Sequence, residues 1–161
     1  MTILQILLII SLAGLVLSCC PDGWIKGKNS CYFISPRTVV WSEASSICQA
    51  FHGELAVIND AEENALIGKI ITNIRGALTT NLWIDGSDRM IEGEWYWAST
   101  MERFDYKNWA INEPNDQKEL EDCLEIYPTG FTWNDNRCNI LNHFICEKEI
   151  EATDLVGQII G

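Results

Sequence analysis

The chain has 161 residues, 47% of them hydrophobic and 10% aromatic, and a formal net charge of -12. That is enough length and apolar content for one domain with a real core, and it rules out a disordered polyanion. The charge argues against nucleic acid and anionic membrane surfaces as partners, since both call for basic patches, and it fits metal cations or cationic and mineral surfaces.

The first eighteen residues, MTILQILLIISLAGLVLS, carry no charged side chain. An apolar run from Ile6 to Leu17, with Val16 and Ser18 as small residues before a cleavage point, predicts a secretory signal peptide over 1–18 and a secreted, extracellular product. The run is short for a membrane span of about 20 residues, and nothing later in the chain could span a bilayer. Seven cysteines stand at 19, 20, 31, 48, 123, 138 and 146. In a secreted chain they read as a disulfide framework. No CxxC pair is present, so a structural zinc site is not indicated. Cys19 is the odd one. Cleavage after Ser18 would leave it free to bridge to a second chain; cleavage after Cys19 would remove it.

From Cys20 to Cys31, CPDGWIKGKNSC has Pro21, Gly23 and Gly27 as turn residues and reads as a small hairpin closed by a bridge. Next, TVVWSEASSICQAFHG puts Trp41, Ala44, Ile47, Cys48 and Phe51 on one face of a helix stopped by Gly53. LAVI at 55–58 is strand-like. NDAEENALIGKIITNIRG begins with Asn59 or Asp60 as a cap and has Glu62 or Glu63 in its first turn. Its buried face is Leu66, Ile67, Ile70 and Ile74, and Gly76 ends it. Short aromatic strands follow (82–84, 95–97, 123–126, 144–147), separated by long polar loops. Two helices followed by short strands without βαβ alternation predict an α+β domain. It extends over 19–148, with residues 149–161 as a tail. The loops between 85 and 122 are long, and such loops are usually functional or disordered.

One stretch concentrates charge. Residues 113–123, EPNDQKELEDC, hold the carboxylates of Glu113, Asp116, Glu119, Glu121 and Asp122. Without a partner such a run repels itself, and the plain reading is a solvated acidic loop. A divalent cation would turn the same run into a binding site.

The ordered set CPDGW…C, a helix carrying Cys48, LWIDG at 82–86, EPN, EDC, WND and FICE resembles the C-type lectin domain over about residues 20–148. Among its members the chain is most similar to small secreted invertebrate lectins of the perlucin type, found in mollusc shell matrix and haemolymph. The resemblance implies the C-type lectin fold, two helices with short antiparallel sheets and long calcium-binding loops. It also implies the disulfides Cys20–Cys31, Cys48–Cys146 and Cys123–Cys138, and a cis bond before Pro114. Two Ca2+ sites are implied. Glu113, Asn115, Glu121, Asn134 and Asp135 would hold one ion and also bind the carbohydrate; Asp88, Glu92, Asp116, Glu121 and Asp122 would hold the other. Calcium takes six to eight oxygens, amide carbonyls included. The NH2 groups of Asn115 and Asn134 and the second oxygens of Glu113 and Glu121 would then meet two adjacent sugar hydroxyls.

In the family, EPN goes with mannose, fucose, glucose or N-acetylglucosamine, whose 3- and 4-hydroxyls are equatorial, and QPD with galactose. The implied function is a secreted lectin of the mannose type in glycan recognition or innate defence. The alternative is a perlucin-like extracellular matrix protein that binds calcium carbonate mineral in biomineralization. Homo-oligomers would raise avidity. Trp83, Trp95, Trp97 and Trp133 read as core. Trp109 and Tyr106, just before EPN, lie within reach of a sugar. Glu119 and Glu125 read as surface acids. His52 and His143 have no partner motif. No nucleophile elbow, paired-acid signature or HExxH is present, so the chain does not read as an enzyme.

Overall fold

A computed structural model describes residues 20–150. The expected signal peptide, Cys19 and residues 151–161 lie outside the described residues. No helix among the described residues is long and apolar enough to cross a membrane.

Local turn chemistry starts the chain. Gly23 has φ +83°, and the Trp24 N–H returns to the Pro21 carbonyl at 2.9 Å. A left-handed residue at such a turn favours glycine. The chain then forms an antiparallel hairpin of β1 (Ile25–Lys26) and β2 (Ser30–Ile34), tied by Cys20–Cys31.

Helix α1 (Trp41–Ala50) buries Trp41, Ala44 and Cys48. Phe51, expected on that face, is instead 45% exposed and sets its ring edge-on to Trp24 and Phe33. The backbone has already left the helix at Phe51 and turns through His52 at φ +59°. Gly53 follows where the chain grazes the last strand. A Cβ there would lie 2.4 Å from the Glu147 carbonyl oxygen, so a side chain is excluded.

The expected strand at 55–58 pairs only as β3 (Glu54–Leu55). Ala56 and Ile58 are nevertheless buried, and Ala56 bridges two other segments: its N–H donates to Ile145 and its carbonyl accepts from Asp85.

Helix α2 (Ala61–Ile74) is capped reciprocally. Asp60 accepts the Glu63 N–H at 2.8 Å, and the Glu63 carboxylate accepts the Asn59 N–H at 2.8 Å. Its buried stripe is Asn64, Ile67, Gly68, Ile70 and Ile71. Leu66 and Ile74 lie at its rim, so the face is rotated from the expected one. Gly68 accounts for the rotation: a Cβ there would stand 2.6 Å from the Phe131 ring. Gly76 sits inside the 3-10 turn Arg75–Ala77 that ends the helix.

Six further strands complete an α+β architecture: β4 (Leu82–Ser87), β5 (Tyr96–Trp97), β6 (Glu102–Arg103), β7 (Cys123–Ile126), β8 (Trp133–Asn136) and β9 (His143–Glu149). Strand β9 lies between the N-terminal hairpin and the rest. It runs antiparallel to β2 and β3 and parallel to β4. Strand β4 continues antiparallel to β5 and β7, and β7 to β8. Trp83, Trp95, Trp97 and Trp133 are all buried. Cys48–Cys146 ties α1 to β9, and Cys123–Cys138 braces the β7–β8 region.

Asp85 in β4 is an acid inside this core, 1% exposed, whose Oδ2 accepts the N–H and O–H of Ser99 at 2.8 Å each. Burial pushes its carboxyl up to about 7, against those two hydrogen bonds. In the unfolded chain an aspartate titrates near about 3.9. Between those values the native state holds a proton that the unfolded state has lost, so stability falls as pH rises through the window. D85N removes this dependence. In EDTA, its urea-unfolding free energy should gain on wild type between about pH 4.5 and about pH 7.5; a constant difference would show that Asp85 does not hold that proton. Cys123–Cys138 closes a sequence separation of 15. The double variant C123S/C138S should lose about 3 kcal/mol in the same measurement.

Candidate metal centre

Two loops meet at the end of β4. The Asp88 N–H donates to the Asp122 carbonyl at 3.4 Å, and Ser87 Oγ donates to the same carbonyl at 2.7 Å. This brings together acids that are 34 residues apart in sequence. One carboxylate oxygen from each of Asp88, Glu92 and Asp122 lies within 4.8 Å of the others. Asp88 is 2% exposed; its Oδ2 accepts the Gly93 N–H at 3.0 Å, and its Oδ1 is buried with no hydrogen-bond partner. Burial, reinforced by repulsion from Glu92 and Asp122, pushes the Asp88 carboxyl up to about 6 against the Gly93 hydrogen bond. Glu92 is raised too, by desolvation first and then by Asp116 and Asp122.

The second group is built on the loop after Ala110. The Glu113–Pro114 bond is cis, and Asn112, Asp116, Lys118 and Glu119 all adopt left-handed φ, from +41° to +70°. What holds this unusual backbone is Asp135 on β8. Its Oδ2 accepts the N–H groups of Asn115 at 2.9 Å and Asp116 at 2.6 Å. Its Oδ1 has no partner, and the residue is fully buried. Asn115 turns its NH2 onto Glu113 Oε2. Glu121 accepts the Gln117 N–H at 3.0 Å and donates its own N–H to Asp116 Oδ1 at 3.1 Å. Burial, then the adjoining Asp135 carboxyl, raises Glu113; burial also raises Glu121, with Asp135 and Asp116 adding to it. Asp116 links the two groups, bonded to Asp135 and Glu121 and electrostatically close to Glu92.

The structure therefore brings Asp88, Glu92 and Asp122 into one cluster, and gathers Glu113, Asn115, Asp116, Glu121 and Asp135 beside it. Asn134 joins through its chain neighbour Asp135, but its NH2 points elsewhere, to Glu125 Oε1 at 2.9 Å. Asn115 and Asn134 each commit one amide N–H to a carboxylate, of Glu113 and Glu125 respectively, and each keeps a second N–H. Glu125, expected at the surface, is 1% exposed. Strand β8 and Asn142 cover the side that an isolated period-two pattern assigns to solvent. Glu119 is exposed. Trp109 and Tyr106 pack edge-on to Trp133. His143 is buried and bonds Ser35 and Thr79, a structural role.

Chemically the donors in both groups are all oxygens. Two buried carboxylate oxygens, Asp88 Oδ1 and Asp135 Oδ1, have no donor to satisfy them. A buried acceptor without a partner is costly, and a carboxylate more so. A hard divalent cation is the ligand that such a set fits.

The Lectin C-type domain family model matches residues 37–148. Perlucin of Haliotis laevigata is 35% identical over 132 residues, covering 81% of this chain and 83% of that protein. The galactose-specific lectin nattectin of Thalassophryne nattereri is 31% identical over 133 residues, covering 83% and 82%. Asialoglycoprotein receptor 2 of Homo sapiens is 37% identical over 146 residues, 87% of this chain but 44% of the receptor. Among solved structures, the carbohydrate-recognition domain of cow CD23, crystallised with a GlcNAc2Man3 oligosaccharide, superposes with a TM-score of 0.73 at 31% identity over 83% of this chain and 98% of that one. With the fold, the three disulfides and these matches in agreement, the chain belongs to the C-type lectin domain family.

Proposed function

We propose that this chain is a secreted, calcium-dependent carbohydrate-binding protein that acts by binding and not by catalysis. The observation that carries the reading is the pair of orphaned buried oxygens, Asp88 Oδ1 and Asp135 Oδ1, within all-oxygen loops. Glu113, Asn115, Glu121, Asn134 and Asp135 would hold an outer Ca2+. Asp88, Glu92, Asp116, Glu121 and Asp122 would hold an inner one. When bound, the outer ion supplies coordination for two vicinal sugar hydroxyls.

The chain's own residues do the rest. Asp135 fixes the backbone from which Asn115 and Asp116 project. The Asn115 amide, with its NH2 on Glu113, leaves its carbonyl for the metal and one N–H to donate to a sugar oxygen. Glu113 and Glu121 accept from sugar hydroxyls. The order Glu113-Pro114-Asn115 supports sugars with equatorial 3- and 4-hydroxyls, of the mannose type. The CD23 domain crystallised in the presence of a mannose-containing oligosaccharide is in keeping with that preference, whereas nattectin is named for galactose. A single site binds weakly, so useful avidity calls for several domains on one assembly. The acidic surface also supports a second reading, adhesion to calcium carbonate mineral without a sugar.

Retention on immobilised mannose separates these. The protein should be held in calcium, released by EDTA and by free mannose, and not released by free galactose. Release by galactose would reverse the sugar preference; flow-through of protein that binds calcium would favour the mineral role. Glu92 tests the inner site. E92Q relieves repulsion with Asp116 and Asp122, so its thermal midpoint in EDTA should exceed that of wild type. In millimolar calcium the order should reverse, because linkage stabilisation by the ion is weakened.

A further inference from the structure

Glu125 stands at the centre of a hydrogen-bonded cage. Its Oε1 accepts the side-chain N–H groups of Asn81 at 2.7 Å and Asn134 at 2.9 Å. Its Oε2 accepts those of Asn136 at 3.0 Å and Asn142 at 2.5 Å. Four amides from three separate segments converge on one side chain that is 1% exposed. Each oxygen accepts two N–H groups, and among the described residues the side-chain hydrogen bonds to Glu125 all come from asparagines.

Burying a carboxylate costs several kcal/mol unless it is fully hydrogen-bonded, and an apolar residue would fill the same volume without that cost. The cage is therefore an expensive way to pack β7 against β8. What it does achieve is orientation. A carboxylate accepts and does not donate, so each of the four amides must present its NH2 to Glu125 and its carbonyl away from it. For Asn136 and Asn142 that affects only the packing. For Asn134, directly opposite Glu125 in the β7–β8 register and next to Asp135, it turns Oδ1 away from the interior.

We infer that Glu125 is a positioning residue for the outer cation: it locks the flip of the Asn134 amide and, by drawing on its N–H, makes the carbonyl oxygen a stronger metal ligand. This rests on the assignment of Asn134 to the outer Ca2+ site proposed above. The arrangement is the amide counterpart of a carboxylate that orients a metal-binding histidine through its second nitrogen, where loss of the outer partner weakens metal affinity about 10- to 100-fold.

The test is calcium binding by calorimetry without sugar, paired with the thermal midpoint in EDTA, on the intact protein. E125Q keeps the shape but presents an NH2 to the cage, and should raise the calcium Kd at one site by at least about tenfold. N142A removes a bond from the other oxygen. It should lower the midpoint in EDTA yet leave calcium affinity at the wild-type value. N134A should weaken calcium as E125Q does. The double variant E125Q/N134A should bind calcium no more weakly than N134A, because the two act through one contact. If E125Q does not fold, E125D, which keeps the charge but withdraws it by one methylene, carries the same expectation. Wild-type calcium affinity in E125Q or E125D, with N134A weakened, overturns the positioning role and leaves the outer site intact. So does an additive double variant. Wild-type affinity in N134A removes Asn134 from the site and takes both readings down.

Discussion

The acidic loops take their place from the packing around Trp133. Its indole is completely buried, its Nε1–H donates to Asn64 Oδ1 of α2 at 3.0 Å, and the rings of Trp97, Phe104, Tyr106 and Trp109 meet it edge-on. Its backbone is held as well, by the Asn108 carbonyl and the Ala110 N–H at 2.8 Å each. One side chain thus joins a helix, the β5–β6 ribbon and the segment that leads into Glu113. Asn134 and Asp135 follow it directly. Their side chains inherit their direction from strand alternation. A slip of one residue in β8 would turn Trp133 out of the core and Asp135 away from the loop that it holds. Hydrophobic packing, not metal, therefore sets the address of the polar groups.

The charge in that address is the reverse of what folding prefers. Burial raises Asp88, and repulsion from Glu92 and Asp122 adds to it. The chain accepts this because the backbone around the acids is bonded elsewhere: Asp122 to Ser87, Gly93 to Asp88, Gln117 to Glu121, Asn115 and Asp116 to Asp135. Asp88 and Asp135 each accept backbone N–H with one oxygen and keep the other buried without a hydrogen-bond partner. The acids are therefore held in place by backbone hydrogen bonds, and under the proposed function a cation would bind there with little further ordering.

Much of this was legible in the sequence. The two helices, a cap at Asn59 or Asp60 that the structure resolves as Asp60, and the four core tryptophans follow from periodicity and composition. The bridge pattern did not follow from counting, since six cysteines allow 15 connectivities; the family resemblance supplied it. The misses have physical causes. Ile71 replaces Leu66 in the buried stripe because Gly68 admits the Phe131 ring, a contact across 63 positions of chain. Phe51 leaves its helix one residue early because Gly53 must slide past Glu147. Glu125 reads as an exposed strand position until Asn81, Asn134, Asn136 and Asn142 are seen to converge on it. Those asparagines are scattered over three segments, and no local pattern links them.

The way the described chain enters and leaves the domain has a consequence of its own. Ser30 is the register partner of Glu149, the Ile150 N–H donates to the Asn29 carbonyl at 2.8 Å, and Cys20 is bonded to Cys31, the partner of Lys148. Entry and exit therefore sit on neighbouring strands, about 4.8 Å apart in the hydrogen-bonding direction. A unit closed in this way is a cassette: it can be spliced into a longer polypeptide without prying its host apart, and a pull on both ends loads the β2–β9 seam and the Cys20–Cys31 staple before it reaches β7 and β8. Human asialoglycoprotein receptor 2, of which the matched region is 44%, shows that such a module can form part of a larger whole.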